Sequence, residues 1–330
     1  MLKSRLPNVG TTIFTVMSAL ATRHDAVNLG QGFPDFACDP RLTDAVTRAM
    51  AAGHNQYPPM SGWPALRHAI ADKVARLYEH RYDPDQEITV TAGATQAILT
   101  AMLALVHAGD EVIVIEPAYD SYVPAIEMAG GIPVLVQMVR DQDGPGDGFR
   151  IPWDRLEAAV TPRTRLVILN SPHNPTGMAI GPDDLAELER IVVAHGLYVI
   201  SDEVYEHMLY DGRRHESVSR RPGLAERSVV VSSFGKTFHV TGWKVGYVAA
   251  PAPLMAEFRK AHQFNVFTVN TPMQAAIAEY LNDPAPYETL GAFYQRKRDL
   301  FREGLARTRL KPLHSAGTYF VLADFRAVRD

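Results

Sequence analysis

Short runs of β-branched and aliphatic residues recur along this chain with helix-forming stretches between them. They are Ile88 to Thr91, Val112 to Ile115, Leu166 to Leu169, Tyr198 to Ser201, Val229 to Ser232 and Val245 to Ala249. A strand with one wet face alternates apolar and polar residues, but several of these runs are apolar throughout, as strands covered by helices on both faces must be. The segments Pro64 to Tyr82, Thr95 to His107, Pro182 to His195 and Tyr287 to Ala306 are rich in Ala, Leu, Arg and Glu, which suits helices. The pattern predicts an α/β fold whose mainly parallel sheet is sandwiched by helices. A length of 330 residues is enough for roughly two domains, and no repeat or low-complexity tract interrupts it. Arg140 to Arg150, broken by Gly144, Pro145, Gly146 and Gly148, reads as a surface loop.

Charge argues against a polyanion partner. The 33 Lys and Arg nearly balance the 37 Asp and Glu, and a net charge of −4 builds no single-signed field for nucleic acid or anionic lipid. Cys38, the one cysteine, cannot close an internal disulfide, and the histidines fall in no HExxH or Cys/His ligand spacing. A cytoplasmic protein without a structural metal is the expectation. Met1 to Gly10 has two early cations but no apolar run behind them, unlike a secretory signal. The uncharged stretch Ala97 to Ala108 is too short to span a bilayer and reads as a buried helix.

Chemistry is expected where strands end, because ligands of open α/β sheets bind beyond the carboxyl ends of the strands. After Ile88 to Thr91 comes Ala92-Gly93-Ala94-Thr95-Gln96. Its small residues let backbone N–H groups and the Thr95 hydroxyl approach a phosphate at a helix N-terminus. The alternative is a tight turn with Thr95 as the helix cap. The run from Tyr198 leads straight into Asp202 and Glu203, which can face a cleft and pair with a cationic ring nitrogen, or merely cap the next helix. The run from Val229 ends in Ser233-Phe234-Gly235-Lys236. A P-loop would need glycine where Val230 stands. Ser233 and Lys236 also fit the Ser-x-x-Lys pair of acylating enzymes, but Ser201-Asp202-Glu203 and Lys236-Thr237-Phe238 do not match the accompanying motifs. A third reading makes Lys236 a Schiff-base lysine for an aldehyde cofactor held by phosphate and ring contacts.

Further strings decide among these. Gly30-Gln31-Gly32-Phe33-Pro34, Asn55-Gln56-Tyr57, the Gly93 turn, Glu116-Pro117-Ala118-Tyr119, Asn174-Pro175, Asp202-Glu203-Val204-Tyr205 and Ser233-Phe234-Gly235-Lys236 follow one another in the chain. In that order the sequence, from about Gly10 to its end, resembles the class I aminotransferases of pyridoxal phosphate fold type I. Its likeness is greatest to the methionine and kynurenine aminotransferase branch.

The resemblance implies pyridoxal 5'-phosphate bound by Lys236 as a Schiff base, with the freed amine acting as the base that moves the proton at Cα. Asp202 would pair with the pyridine nitrogen, Asn174 and Tyr205 would hydrogen-bond the phenolic oxygen, and Tyr119 would stack on the ring. Gly93, Ala94, Thr95, Ser233 and Lys244 would hold the phosphate. Lys244 stands where many relatives have Arg, giving a point charge in place of a fork. Tyr57 would reach the neighbouring subunit's phosphate, making the active unit a homodimer with shared sites. Gly32 would set a backbone N–H beside the substrate carboxylate, with Asn174 near it, and Phe14 and Phe267 would line the substrate pocket. Trp243 is expected to be packing, and His173 a turn or wall residue.

The resemblance also implies three parts: residues 1–38 as an N-terminal arm and part of a small domain, 39–281 as the cofactor domain, and 282–330 as the rest of the small domain. In this family a carboxylate-clamping arginine follows well after the Ala316-Gly317-Thr318-Tyr319-Phe320 string. Arg326 and Arg329 come too early for it, and the sequence ends at Asp330. The expectation is therefore a small domain short of a layer, with Val321 and Leu322 poorly covered, intact cofactor binding and weak handling of amino acids. Transamination between an α-amino acid and a 2-oxo acid is the implied reaction, with methionine, aromatic amino acids and kynurenine as donors. A β-lyase acting on sulfur-bearing amino acids and a cofactor-binding protein with little turnover are its alternatives.

Overall fold

The structure is a computed structural model that describes residues 3–328 except 31, 33 and 142–147. Its centre is a seven-stranded sheet of β1 (Ile88–Thr91), β2 (Glu111–Glu116), β3 (Ile132–Gln137), β4 (Thr164–Asn170), β5 (Tyr198–Asp202), β6 (Ser228–Ser233) and β7 (Gly246–Ala249). The order across the sheet is β1-β7-β6-β5-β4-β2-β3. From β3 to β6 every pairing is parallel, while β7 runs antiparallel to both β6 and β1.

The uninterrupted apolar runs have the cause the sequence suggested. Within β2, Ile113 and Ile115 join a core with Leu66, Ile70, Leu185 and Leu188, which lie on helices Pro64–Tyr78 and Pro182–His195. Val112 and Val114 point the other way, into a core with Ile98 and Met102 of helix Gly93–Leu105 and Phe258 of helix Ala252–Asn265. β2 thus buries both faces. One such side chain contributes roughly 1.5–3 kcal/mol.

Helix Pro182–His195 starts on proline and stops where Gly196 takes φ +66°. Helix Pro64–Tyr78 ends four residues earlier than the periodicity suggests, because Glu79 turns left-handed at φ +60°. The stretch from Tyr287 divides at Thr289 into a short helix Ala285–Glu288 and helix Leu290–Ala306. The expected loop after Arg140 is a two-stranded ladder, Val139–Asp141 against Gly148–Arg150, and 142–147 lie outside the described residues.

The C-terminal part carries a second ladder, Lys311–Pro312 with Ala323–Asp324. Arg298 of helix Leu290–Ala306 fastens this part to the segment after β5. Its guanidinium lies over Tyr210 at 4.6 Å, takes both Asp211 oxygens at 2.7 Å and donates to the Ser315 carbonyl at 2.9 Å. Val321 and Leu322 are each half-buried, and the Leu322 carbonyl accepts from Leu313 N at 2.8 Å. The apolar side chains exposed there are instead Leu300, Phe301, Phe325 and Val328. Among the described residues no helix is long and apolar enough to cross a membrane.

Candidate active site

A cavity of about 620 Å³ opens at the edge of the sheet where β4, β5 and β6 end. Asn170, Asp202 and Ser233 are the last residues of those three strands, and Asn170 pairs with Asp202 in register. The antiparallel β7 begins at this same edge, Gly246 lying opposite both Ser233 and Thr91. That direction brings Lys244, just before β7, to the carboxyl ends of its neighbours.

Lys236 rises from the short helix Phe234–Thr237 and lines the cavity. Its Nζ donates to Tyr319 Oη at 2.7 Å and to the Gly32 carbonyl at 3.5 Å. Asp202 is buried, with Oδ2 accepting from Tyr122 Oη at 2.6 Å and Oδ1 from Val204 N at 3.3 Å. Burial pushes its carboxyl up to about 6 even though those donors and Lys236 favour the ionised form. A buried carboxylate in this state gains from a cation set against it, which a protonated ring nitrogen would be.

The turn after β1 is shaped for an anion. Gly93 takes φ +77°, and helix Gly93–Leu105 begins at Ala92 with no side-chain cap, so Thr95 is not the capping residue. The Ala92 N–H is held by Gln96 Oε1 at 2.9 Å, leaving the next amides at the cavity beside Lys244 and Ser233. A Cβ on Gly246 would meet the Ser232 carbonyl at 2.6 Å and Gly93 Cα at 3.2 Å. The cradle therefore depends on close backbone approach. Dipole, lysine and hydroxyl together fit a phosphate.

Asn174, Tyr119, Tyr205, Gly32 and Phe14 also line the cavity. The Asn174 backbone is held by Asn170 Oδ1 at 2.7 Å, which aims the loop after β4. Tyr205 is buried, and burial holds its hydroxyl well above the ordinary range, so it remains a phenol. Glu203 faces away from the cavity, taking bonds from Ser201 Oγ at 2.8 Å and Val218 N at 3.1 Å and pairing with His215 at 2.7 Å. No helix follows β5 directly, so neither acid caps one. His173 is buried, bonded to Thr176 at 2.9 Å, and burial pushes its imidazole down to about 3, keeping it neutral. Trp243 packs on the core.

Two expected residues lie elsewhere in this chain. Tyr57 is 81% exposed and meets Phe267 edge-on at 5.4 Å, and neither lines the cavity. Arg326 pairs with Asp324 on the surface, away from the cavity. Arg329, Gln31 and Phe33 fall outside the described residues.

Sequence reading missed other participants. Thr15 and Ser18 of helix Ile13–Arg23 and its cap Thr12 reach the cavity, and the helix itself has no buried residue. Tyr122 could have been found by its spacing, three residues beyond Tyr119 at a helix start, where the two rings meet edge-on at 5.6 Å. Tyr319 and Phe320 come from a string that carried no assigned role.

Residues 24–330 match the family model described as aminotransferase class I and II. The methionine aminotransferase of Escherichia coli strain K12 is 51% identical over 327 residues, covering 99% of this chain and 83% of that protein. A kynurenine–oxoglutarate transaminase of Dictyostelium discoideum is 37% identical, covering 97% of this chain and 77% of its own length. The solved N-succinyldiaminopimelate aminotransferase of Mycobacterium tuberculosis superposes with a TM-score of 0.95 at 45% identity, over 99% of this chain and 85% of that one.

Proposed function

The chain belongs to the class I and II aminotransferases, and we propose that its preferred amino donors carry apolar or aromatic side chains, with methionine, aromatic amino acids and kynurenine foremost. It is a pyridoxal-phosphate-dependent enzyme that moves an amino group between an α-amino acid and a 2-oxo acid. The bound cofactor supplies an aldehyde to receive the amino group and a protonated ring to take up the electron pair released at Cα.

The observation that carries the assignment of residues is the meeting of Lys236, Asp202 and the Gly93 turn at one sheet edge, around one cavity. Lys236 would be the amine that holds the cofactor and, when free, would take and return the proton at Cα. Asp202 would pair with the ring nitrogen and keep its proton in place. Asn174 and Tyr205 would hydrogen-bond the phenolic oxygen, and Tyr119 would stack on the ring. The Ala94 and Thr95 amides with Gly93, Ser233 and Lys244 would hold the phosphate. Gly32 and Asn174 face the substrate carboxylate, and Phe14, with Val204 and Phe320 beside it, forms an apolar wall for the side chain. That wall, together with the 51% identity to a methionine aminotransferase, supports the preference.

The active unit is a homodimer. Exposed Tyr57, with Phe267 against it, and Phe264, 88% exposed, form an apolar face suited to a second copy. Tyr57 would serve the partner's phosphate and Phe267 its pocket. We keep 1–38, 39–281 and 282–330 as the working division into parts, and the single thiol of Cys38 suits a cytoplasmic protein.

The test is a steady-state panel of amino acids with a 2-oxo acid acceptor. Methionine and aromatic donors should exceed aspartate by at least about tenfold in kcat/KM, the scale that burial of a side chain in an apolar pocket provides. An acidic donor ahead of them would overturn the preference. Pyruvate and free thiol from cysteine conjugates as the main products would favour the β-lyase alternative.

A further inference from the structure

Tyr319 is joined to Lys236 in an arrangement whose direction is fixed by elementary hydrogen-bond chemistry. Its Oη lies 2.7 Å from Lys236 Nζ and 2.7 Å from the Gly32 carbonyl oxygen. A carbonyl only accepts, so the single phenol proton goes to Gly32 and the hydroxyl can only accept from the lysine. The second amine hydrogen has the same carbonyl within 3.5 Å. With N–H bonds drawn to Tyr319 and Gly32, an unprotonated amine so held would turn its lone pair away from both.

The phenol is itself held. Its ring meets Tyr205 edge-on at 5.5 Å, Phe320 at 4.9 Å and Tyr294 at 5.8 Å. The preceding residue is anchored through Thr318 N to the Met208 carbonyl at 2.9 Å and through its own carbonyl to Tyr210 Oη. Gly32 is part of the fit: a Cβ there would stand 2.2 Å from Tyr319 Cε2. An N-terminal glycine and a C-terminal tyrosine therefore grip a lysine whose own backbone sits at a strand end.

We propose that Tyr319 is a positioning residue for Lys236, orienting the free amine so that its lone pair faces the reacting carbon. The inference rests on the reading of Lys236 as the cofactor-bearing lysine. The step it governs is attack of the neutral amine on the cofactor aldehyde. A C=N bond forms as the C=O bond breaks, and the oxygen departs as water with, in net, the two amine protons. The same orientation serves the lysine when it is free and takes the Cα proton.

Tyr319→Phe keeps the ring and its contacts while removing the hydroxyl. The test follows capture of pyridoxal phosphate by the cofactor-free chain, with borohydride fixing and peptide mapping to confirm the lysine used. Alongside, the affinity for pyridoxine 5'-phosphate is measured, since this analogue has the phosphate and ring but no aldehyde. Tyr319→Phe should capture the aldehyde about 10- to 100-fold more slowly, the range that misorientation of a reacting group costs. Its affinity for the analogue should stay within about twofold, and kcat should fall in the loaded enzyme with KM little changed. Unchanged capture would overturn the inference, as would equal losses in capture and analogue affinity, which would make the ring's role purely structural. If the wild-type chain captures the aldehyde at another lysine, the assignment of Lys236 fails first and this inference with it.

Discussion

Beneath the cavity lies a charge pair whose removal should register in stability more than in chemistry. Lys73 of helix Pro64–Tyr78 and Glu206 lie 2.6 Å apart, and their side chains are 2% and 1% exposed. Tyr78, Ser232 and Tyr247 also donate to Glu206, and Lys73 reaches Tyr247 Oη at 3.1 Å. Ser232 and Tyr247 lie on β6 and β7, so the pair braces the strand ends that present Ser233 and Lys244. Burial alone would raise the Glu206 carboxyl. The Lys73 ammonium reverses this and holds the group well below the usual carboxylate range.

Lys73→Met leaves that carboxylate buried without its cation, which costs about 3–5 kcal/mol. An unfolding entropy of about 2.1 cal/mol/K per residue over 330 residues converts this to a fall of roughly 4–7 °C in Tm. The sign with pH follows from linkage. In the natural chain the Glu206 contribution is present above the unfolded carboxylate value, near 4.3, and is lost as pH falls below it. In Lys73→Met burial raises the folded value, so the folded state gains a proton first and the deficit shrinks on going from pH 7.5 to 5. Calorimetry at those two values, with Lys73→Met/Glu206→Gln alongside, is the assay. The double variant should recover more than half of the loss. A Tm within about 1 °C of the natural chain, or a deficit equal at both pH values, would refute the reasoning.

The site and the subunit pairing carry further expected outcomes. Asp202→Ala should lower kcat by at least about 100-fold while cofactor affinity changes far less, because the phosphate cradle is intact. The ratio of natural to Asp202→Ala affinity for pyridoxine 5'-phosphate, in which the ligand's own ionisation cancels, should itself change near pH 6, since burial pushes the carboxyl up to about 6. Glu203→Gln should leave turnover closer to normal and lower Tm, as Glu203 is buried against His215, Ser201 and Val218. Mixed Tyr57→Phe and Lys236→Ala chains should regain activity in heterodimers that carry one complete site, as read by turnover of an isolated heterodimer fraction.

The sheet was legible because strands buried on both faces are written as unbroken apolar runs, and those runs gave the ends from which Asn174, Asp202 and Lys236 project. The runs carry no direction, so nothing in Val245 to Ala249 announced that β7 is antiparallel. β3 was missed because Pro133 interrupts it and Ile132 and Leu135 are partly exposed at the sheet edge. The end of the helix after Pro64 was invisible because a glutamate, not a glycine, takes the left-handed turn. At the site, residues on strand ends could be found from local patterns. The bonds of Tyr122 to Asp202 and of Tyr319 to Lys236 could not, since they span 80 and 83 positions of chain. Such contacts are set by how helices and chain ends pack, which short motifs do not encode.

Every role proposed at the site depends on which lysine holds the cofactor. The chain should be reconstituted with pyridoxal phosphate, reduced with borohydride, digested and mapped by mass spectrometry. A pyridoxyl group on Lys236 is the predicted result. Stoichiometric label on Lys244, Lys73 or any other lysine, or no label after reconstitution, would contradict it.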